Sequence, residues 1–161
     1  MGVIVDLVEE VRDRLATAQS SGALTSVKAV RVCDLNEARK NTDFPFINIR
    51  VLSGEETAEY QATGFIDSLQ IEVRLFHSKL ADLSTDNMLY KTGDSTGVLF
   101  MLETVLNVID KNTSDVLELN MNATANVNPV YTWDIDDTNS QYYEVTILIQ
   151  VPTVQFQGGL R

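Results

Sequence analysis

The chain contains a single histidine, His77, so a catalytic triad or another proton relay built on histidine would have to include it. His77 comes directly after an alternating apolar segment that ends at Phe76, a position typical of a surface residue at the end of a strand. Ser95 has the Gly-x-Ser-x-Gly spacing between Gly93 and Gly97, but it follows a polar segment and not the apolar strand of a nucleophile elbow, and the only cysteine, Cys33, has no marked basic partner. These residues favour a surface histidine over a nucleophilic active site.

Three aspartates, Asp134, Asp136 and Asp137, are spaced closely enough to suggest a cation site. Ile135 alternates with them, however, and residues 136–140 have the composition of a turn between two strands. The glycine and the distal glutamate of a calcium loop are missing. We therefore predict the tip of a β-hairpin and no metal site.

The remaining candidate chemistry is weak. The adjacent acids Glu55 and Glu56 could share a proton if they were buried together, but adjacent acids in a polar loop are usually solvated. Gly93 and Gly97 flank the start of a predicted helix without a phosphate-binding lysine. The sequence predicts no catalytic residue and no cofactor, and the chain is not expected to be an enzyme.

Length and charge limit the class of protein. The chain has 161 residues, 44% hydrophobic and 22% charged, so we expect one globular domain over residues 1–161. A net charge of -11 disfavours tight binding to nucleic acid or to an anionic membrane. No apolar run reaches the roughly 20 residues of a membrane span. With one cysteine and no basic leader, the chain is expected to be made in the cytoplasm.

Two segments have the apolar spacing of helices. Residues 3–18 predict an amphipathic helix that stops at Ser20, Ser21 and Gly22. Residues 98–109 are apolar on most of the helix surface, so this second helix is expected to be the more deeply buried one. Asp94 or Ser95 could cap its start.

The other apolar segments alternate with a period of two. They predict strands with one buried and one wet face at residues 30–32, 44–51, 69–75, 117–121, 131–135 and 143–151, which is typical of an antiparallel or mixed sheet. Gln70, Glu72 and Arg74 would lie on a wet face, and Phe76 and Tyr142 would also be exposed. The predicted fold is α+β, a two-layer architecture with two helices packed on one face of the sheet.

Two polar segments that contain glycine, 53–64 and 78–93, predict long irregular loops. Loops of this length in a compact domain usually carry function or contact a partner. Candidate residues for an oligomer interface, a tube interface or an acidic lumen lie in them, namely Glu55, Glu56, Glu59, Tyr60, Asp82 and Asp86.

The order of these elements resembles the tail terminator, or tail-completion, proteins of long-tailed phages. The resemblance covers the N-terminal amphipathic helix, the Phe44-Pro45-Phe46-Ile47-Asn48-Ile49 strand, the alternating strand that ends near His77, the buried helix after a polar loop, and the last strand.

The resemblance implies a hexameric ring that caps the tail tube, ends its growth and meets the head-side connector protein. DNA would pass through the central hole without specific binding, and the protein would be located in the virion at the head–tail junction. The net negative charge would then keep DNA from adsorbing to the lumen.

Other functions remain open from the residues alone. A head-completion, neck or tail-tube subunit is one alternative, although a tube subunit would be dominated by strands. A non-viral ligand-binding α+β protein is another, and it would have a concave apolar pocket. An enzyme is the third alternative.

Overall fold

The computed structural model describes residues 3–59, 63–79, 89, 97–109 and 130–156. In chain order the elements are α1 (Val3–Ser21), β1 (Ala29–Val32), α2 (Leu35–Arg39), β2 (Phe46–Glu59), β3 (Thr63–Ser78), α3 (Val98–Ile109), β4 (Val130–Asp136) and β5 (Tyr142–Phe156). Three helices and one mixed sheet confirm the α+β class.

The described strands form one sheet in the order β1-β2-β3-β5-β4. β1 and β2 are parallel, and the other pairs of neighbours are antiparallel. Two parallel strands cannot be joined by a tight hairpin, and the short helix α2 lies in the connection between β1 and β2. Pro45 precedes β2, as expected for a residue without a backbone donor, and the Phe44–Pro45 peptide bond is cis.

Helices α1 and α3 share one hydrophobic core with alternate residues of the sheet. Leu7, Val11 and Leu15 of α1 are fully buried in it. The sheet contributes the residues whose alternation was predicted, including Ile47, Ile49, Leu69, Ile71, Val73, Leu75, Val145, Ile147 and Ile149. Both predicted helices are confirmed, although Phe100 of α3 is 44% exposed, so α3 also has an open side.

The second face of the sheet carries a helix that was not predicted. Ala38 of α2 packs with Phe46 and Phe76 in a separate small cluster. Phe46 neighbours Ile47 along β2, and successive side chains of a strand point to opposite faces, so α2 lies opposite α1 and α3. The sequence predicted the two helices α1 and α3, which share one core cluster, and did not predict this third helix.

The prediction of a loop over residues 53–64 is wrong for the residues that the structure describes, 53–59 and 63–64. β2 continues to Glu59 and β3 begins at Thr63, and the two strands pair up to Glu59 opposite Thr63. Register shifts at Val51/Ser53 and Ser53/Glu55 interrupt the ladder without ending it. The polar composition of this hairpin lacks the apolar alternation by which a strand is recognised.

The predicted strands 30–32, 44–51, 69–75, 131–135 and 143–151 are confirmed by β1 to β5. The predicted strand 117–121 and the helix cap at Asp94 or Ser95 lie outside the described residues. So does nearly all of the predicted loop 78–93.

Candidate functional site

His77 is buried, contrary to the surface position expected for it. β3 extends to Ser78, so His77 lies within the sheet opposite Tyr143 of β5, and its exposed fraction is only 4%. Its Nδ1 is 3.2 Å from the carbonyl oxygen of Ser78. The expectation failed because the strand is two residues longer than the apolar alternation that predicted it.

Asp134 and Asp136 lie on β4, opposite Thr146 and Glu144 of β5, and Asp137 follows β4 in the predicted hairpin tip. The Oδ1 of Asp136 accepts hydrogen bonds from the backbone N–H of Thr138 at 2.9 Å and from its hydroxyl at 2.6 Å. These hydrogen bonds lower the pKa of Asp136. Among the described residues, no group of three or more His, Cys, Asp and Glu side chains could hold a metal ion.

A ladder of ion pairs crosses the second face of the sheet. The Glu72 carboxylate accepts hydrogen bonds from Arg50 Nε and Nη2 at 3.1 and 2.9 Å and from Arg74 Nε at 2.7 Å. Glu144 accepts from Arg39 Nε and Nη2 at 3.0 and 3.1 Å, and Arg74 Nη1 lies 3.4 Å from it. Arg74 therefore links two carboxylates on adjacent strands.

Glu72 and Glu144 are only 2% and 5% exposed, so this part of the sheet is not the wet face that the sequence predicted. Burial alone would raise the pKa of Glu72, but hydrogen bonds from Arg74 and Arg50 outweigh it and leave the pKa below its ordinary value. The Glu72 carboxylate therefore stays ionised and accepts hydrogen bonds from the arginines. An ionised carboxylate between two arginines is suited to joining strands and poorly suited to donating a proton.

Asn48 is a fully buried polar residue that sequence reasoning passed over. Its Oδ1 accepts from the backbone N–H of Cys33 at 3.2 Å and from the Cys33 thiol at 3.0 Å, and its Nδ2 donates to the Cys33 carbonyl oxygen at 2.9 Å. Desolvation, assisted by the charge of Asp34, raises the pKa of the thiol, which favours the neutral form. Cys33 is therefore a structural donor and not an activated nucleophile.

Four aromatic rings cover the corner of the second face beside α2. Phe46 and Phe76 stack with centroids 4.5 Å apart, and Tyr142 lies 5.3 Å from Phe44 and 5.8 Å from Phe76. Phe76 is 1% exposed, so the expectation of an exposed aromatic at this position was wrong. The contact with α2, which was not predicted, explains the burial.

Three central strands continue past the edge strands as far as the structure describes these. β1 pairs with β2 no further than Ile49, and β4 pairs with β5 no further than Gln150. Beyond these points, segments 53–59, 63–68 and 151–156 form a three-stranded ribbon. At about 3.3 Å per residue, six or seven residues extend the sheet by roughly 20 Å.

The predicted site residues divide between this ribbon and undescribed parts of the chain. Glu55, Glu56 and Glu59 lie on β2 in the ribbon, opposite Asp67, Ile66 and Thr63 of β3. Tyr60, Asp82 and Asp86 lie outside the described residues. The charged residues of the three ribbon segments are all acidic.

Two shallow apolar grooves flank the sheet on the side of α1 and α3. One, of about 280 Å³, lies between α1 and the β1 edge, and it is lined by Ile4, Val5, Val8, Glu9, Arg12, Val32 and Val51. The other, of about 310 Å³, lies between α3 and the β4 edge, and it is lined by Leu99, Leu102, Glu103, Leu106 and Trp133. Neither groove contains a set of polar groups arranged for catalysis.

The sequence does not identify a family for the chain by similarity. The sequence matches no protein-family model and no curated protein. None of the described helices has both the length and the apolar character needed to cross a membrane.

Proposed function

We propose that this chain is a structural virion protein, a tail terminator that forms a ring on the end of the tail tube of a long-tailed phage or a related particle. It ends tube growth and joins the tail to the head-side connector. The observation that carries the proposal is the three-stranded ribbon of residues 53–59, 63–68 and 151–156, which extends the sheet past the end of β1 and past the described part of β4.

A ribbon of this kind is suited to contact with other subunits. A narrow ribbon gains stability by packing its faces against another surface, and unpaired strand edges are natural sites for association. In a ring, the ribbon would reach a neighbouring subunit or the tube, as the resemblance to tail terminators implies.

The charge of the ribbon fits a passage for DNA. Its charged residues are Glu55, Glu56, Glu59 and Asp67, so a ring with these segments towards its centre would have a negative lumen. Like charge keeps the phosphate backbone from adsorbing. DNA would therefore pass without being retained.

The buried acids support a structural role over a catalytic one. Glu72 and Glu144 are buried acidic residues, and each is paired with arginine. A general acid or base works best when its pKa lies near the working pH, whereas the arginines move the pKa of Glu72 downwards.

The test is to add the purified chain to the polymerising tube protein of the same particle and to measure tube lengths in negatively stained images. A terminator gives shorter tubes of defined length with added density at one end. Unchanged lengths and bare ends would refute the assignment. Long polymers formed by the chain alone would favour the tail-tube alternative.

The lumen is tested by charge reversal in the assembled ring. A Glu55→Lys/Glu56→Lys/Glu59→Lys variant should retain DNA that the unmodified ring releases, because the same positions would then attract phosphate. A matched variant with Asp13, Glu37 and Asp43 changed to Lys has the same net charge but leaves the ribbon intact. Equal DNA retention by both variants would show that the ribbon does not face the DNA.

A further inference from the structure

Large apolar side chains are exposed at the two opposite edges of the sheet. At the β1 edge they are Val5, Val32, Val51 and Leu52, with exposed fractions of 39–46%. At the β4 edge they are Val130 and Trp133, at 57% and 54%. Contiguous exposed apolar groups mark interaction sites, whereas isolated ones need no explanation.

The two edges differ in shape. The β1 edge presents a concave surface, the groove of about 280 Å³ between α1 and β1, whose walls include Val5, Val8, Val32 and Val51. The β4 edge presents a protruding aromatic side chain, because Trp133 lies on an edge strand and is more than half exposed. Trp is also the residue type most enriched at the centre of protein interfaces.

The two edges also differ in charge. Lys28 and Arg31 are exposed at the β1 edge, where the groove is also lined by one acid and one base, Glu9 and Arg12. Asp134 and Asp137 are exposed at the β4 edge, and Glu103 borders the groove beside Trp133. A contact of like edges would bring the basic groups together or the acidic groups together, and such a juxtaposition disfavours binding. A contact of unlike edges pairs opposite charges.

We infer that the β4 edge of one copy of this chain docks on the β1 edge of a second copy, with Trp133 seated in the groove formed by Val5, Val8, Val32 and Val51. The contact is head-to-tail, because the pair keeps one unoccupied β1 edge, on the first copy, and one unoccupied β4 edge, on the second. Such a contact closes into a ring when the rotation between copies permits it. The inference deepens the proposed ring function by naming its subunit interface.

The test uses cross-linking of two single-cysteine variants, each made with Cys33→Ala, with the chain alone and without tail tubes. A Val32→Cys variant and a Val130→Cys variant, which keeps Trp133, are mixed, oxidised with copper phenanthroline and analysed by mass. The expected product is the mixed dimer, in excess over either like dimer. Lys40→Cys on α2, outside both edges, is the matched control and should cross-link with neither. A predominance of like dimers, or no cross-link above this control, would overturn the head-to-tail contact.

A second measurement does not depend on an introduced thiol. Sedimentation should show that Trp133→Ser weakens self-association by about tenfold or more, as truncation of a buried aromatic anchor does. The change lies at a half-exposed position, and circular dichroism verifies that the fold is retained. A folded variant that associates like the unmodified chain would overturn the inference.

The cross-linking test of this interface can be distinguished from the tube-length test of the tail-terminator function. A chain that cross-links head-to-tail but leaves tail tubes unchanged has the inferred interface and another function. A chain that stops tube growth but gives only like dimers is a terminator with a different interface.

Discussion

Arg14 Nη1 on α1 donates a 2.6 Å hydrogen bond to the carbonyl oxygen of Ile109, the last residue of α3. Arg14 Nε also pairs with Glu10 at 2.9 Å, and only 7% of the Arg14 side chain is exposed. A cation at the C-terminus of a helix satisfies a free carbonyl group and interacts favourably with the helix dipole. This one side chain therefore joins the two helices of the main core.

Replacing Arg14 by Met should lower the free energy of unfolding by about 2 kcal/mol, since a hydrogen bond from a charged group is lost at a mostly buried site. Urea unfolding followed by circular dichroism measures the change. The control is Arg12→Met on the same helix, where the side chain is 42% exposed and pairs with Asp13. Equal stability of the two variants would contradict the role of the contact with α3.

Replacing Glu72 by Gln should cost about 3 kcal/mol, because the arginines on both sides of a buried carboxylate lose their counter-charge. An amide also presents a donor group to guanidinium donors. Glu37→Gln, in the exposed pair with Lys40, is the matched control and should leave the unfolding curve unchanged. A Glu72→Gln protein as stable as this control would show that the ion-pair ladder does not hold the strands.

The free energy of unfolding should fall in acid because Glu72 becomes protonated. The pKa of Glu72 is lower in the folded chain than its ordinary value of 4.5, so the unfolded chain takes up the proton more readily. The stabilisation is fully present above pH 4.5 and is lost as the pH falls through the folded pKa. Urea unfolding at successive pH values should give a shallower acid slope for Glu72→Gln than for the unmodified chain. Identical slopes would assign the acid sensitivity to other groups.

Replacing Asn48 by Ala should destabilise the connection between β1 and α2, because the Cys33 peptide groups lose their partner in a buried position. The expected loss is about 2 kcal/mol, with faster amide hydrogen exchange over residues 29–39. Cys33→Ala removes only the thiol hydrogen bond and should have the smaller effect. A larger loss of stability in Cys33→Ala than in Asn48→Ala would show that the thiol, and not the Asn48 amide, stabilises this connection.

Much of the fold follows from apolar spacing. The amphipathic pattern of α1, the apolar run of α3 and the alternation in β3 and β5 depend on burial by one core, and burial is what the spacing of apolar residues records. The structure confirms these elements and the mixed sheet.

The elements that were missed depend on other interactions. α2 has five residues, too few for a helical period, although Asp34 and Glu37 have the spacing of a capping box, and Asp34 does accept from the Glu37 N–H at 2.9 Å. The ribbon is held by backbone pairing between polar segments. Because polar segments are typical of loops, the sequence predicted a loop there. The buried Glu72 could not be distinguished from a solvated acid, because its partner Arg50 is 22 positions away in the sequence.

The exposed position of Trp133 has an optical consequence. It is the only tryptophan of the chain, so intrinsic emission reports on one location. In the isolated chain the indole is 54% exposed, and its emission should lie close to that of the unfolded protein. On docking against a second copy the indole leaves water, and its emission should move to shorter wavelengths as the protein concentration rises. The same sample can thus report assembly without a label.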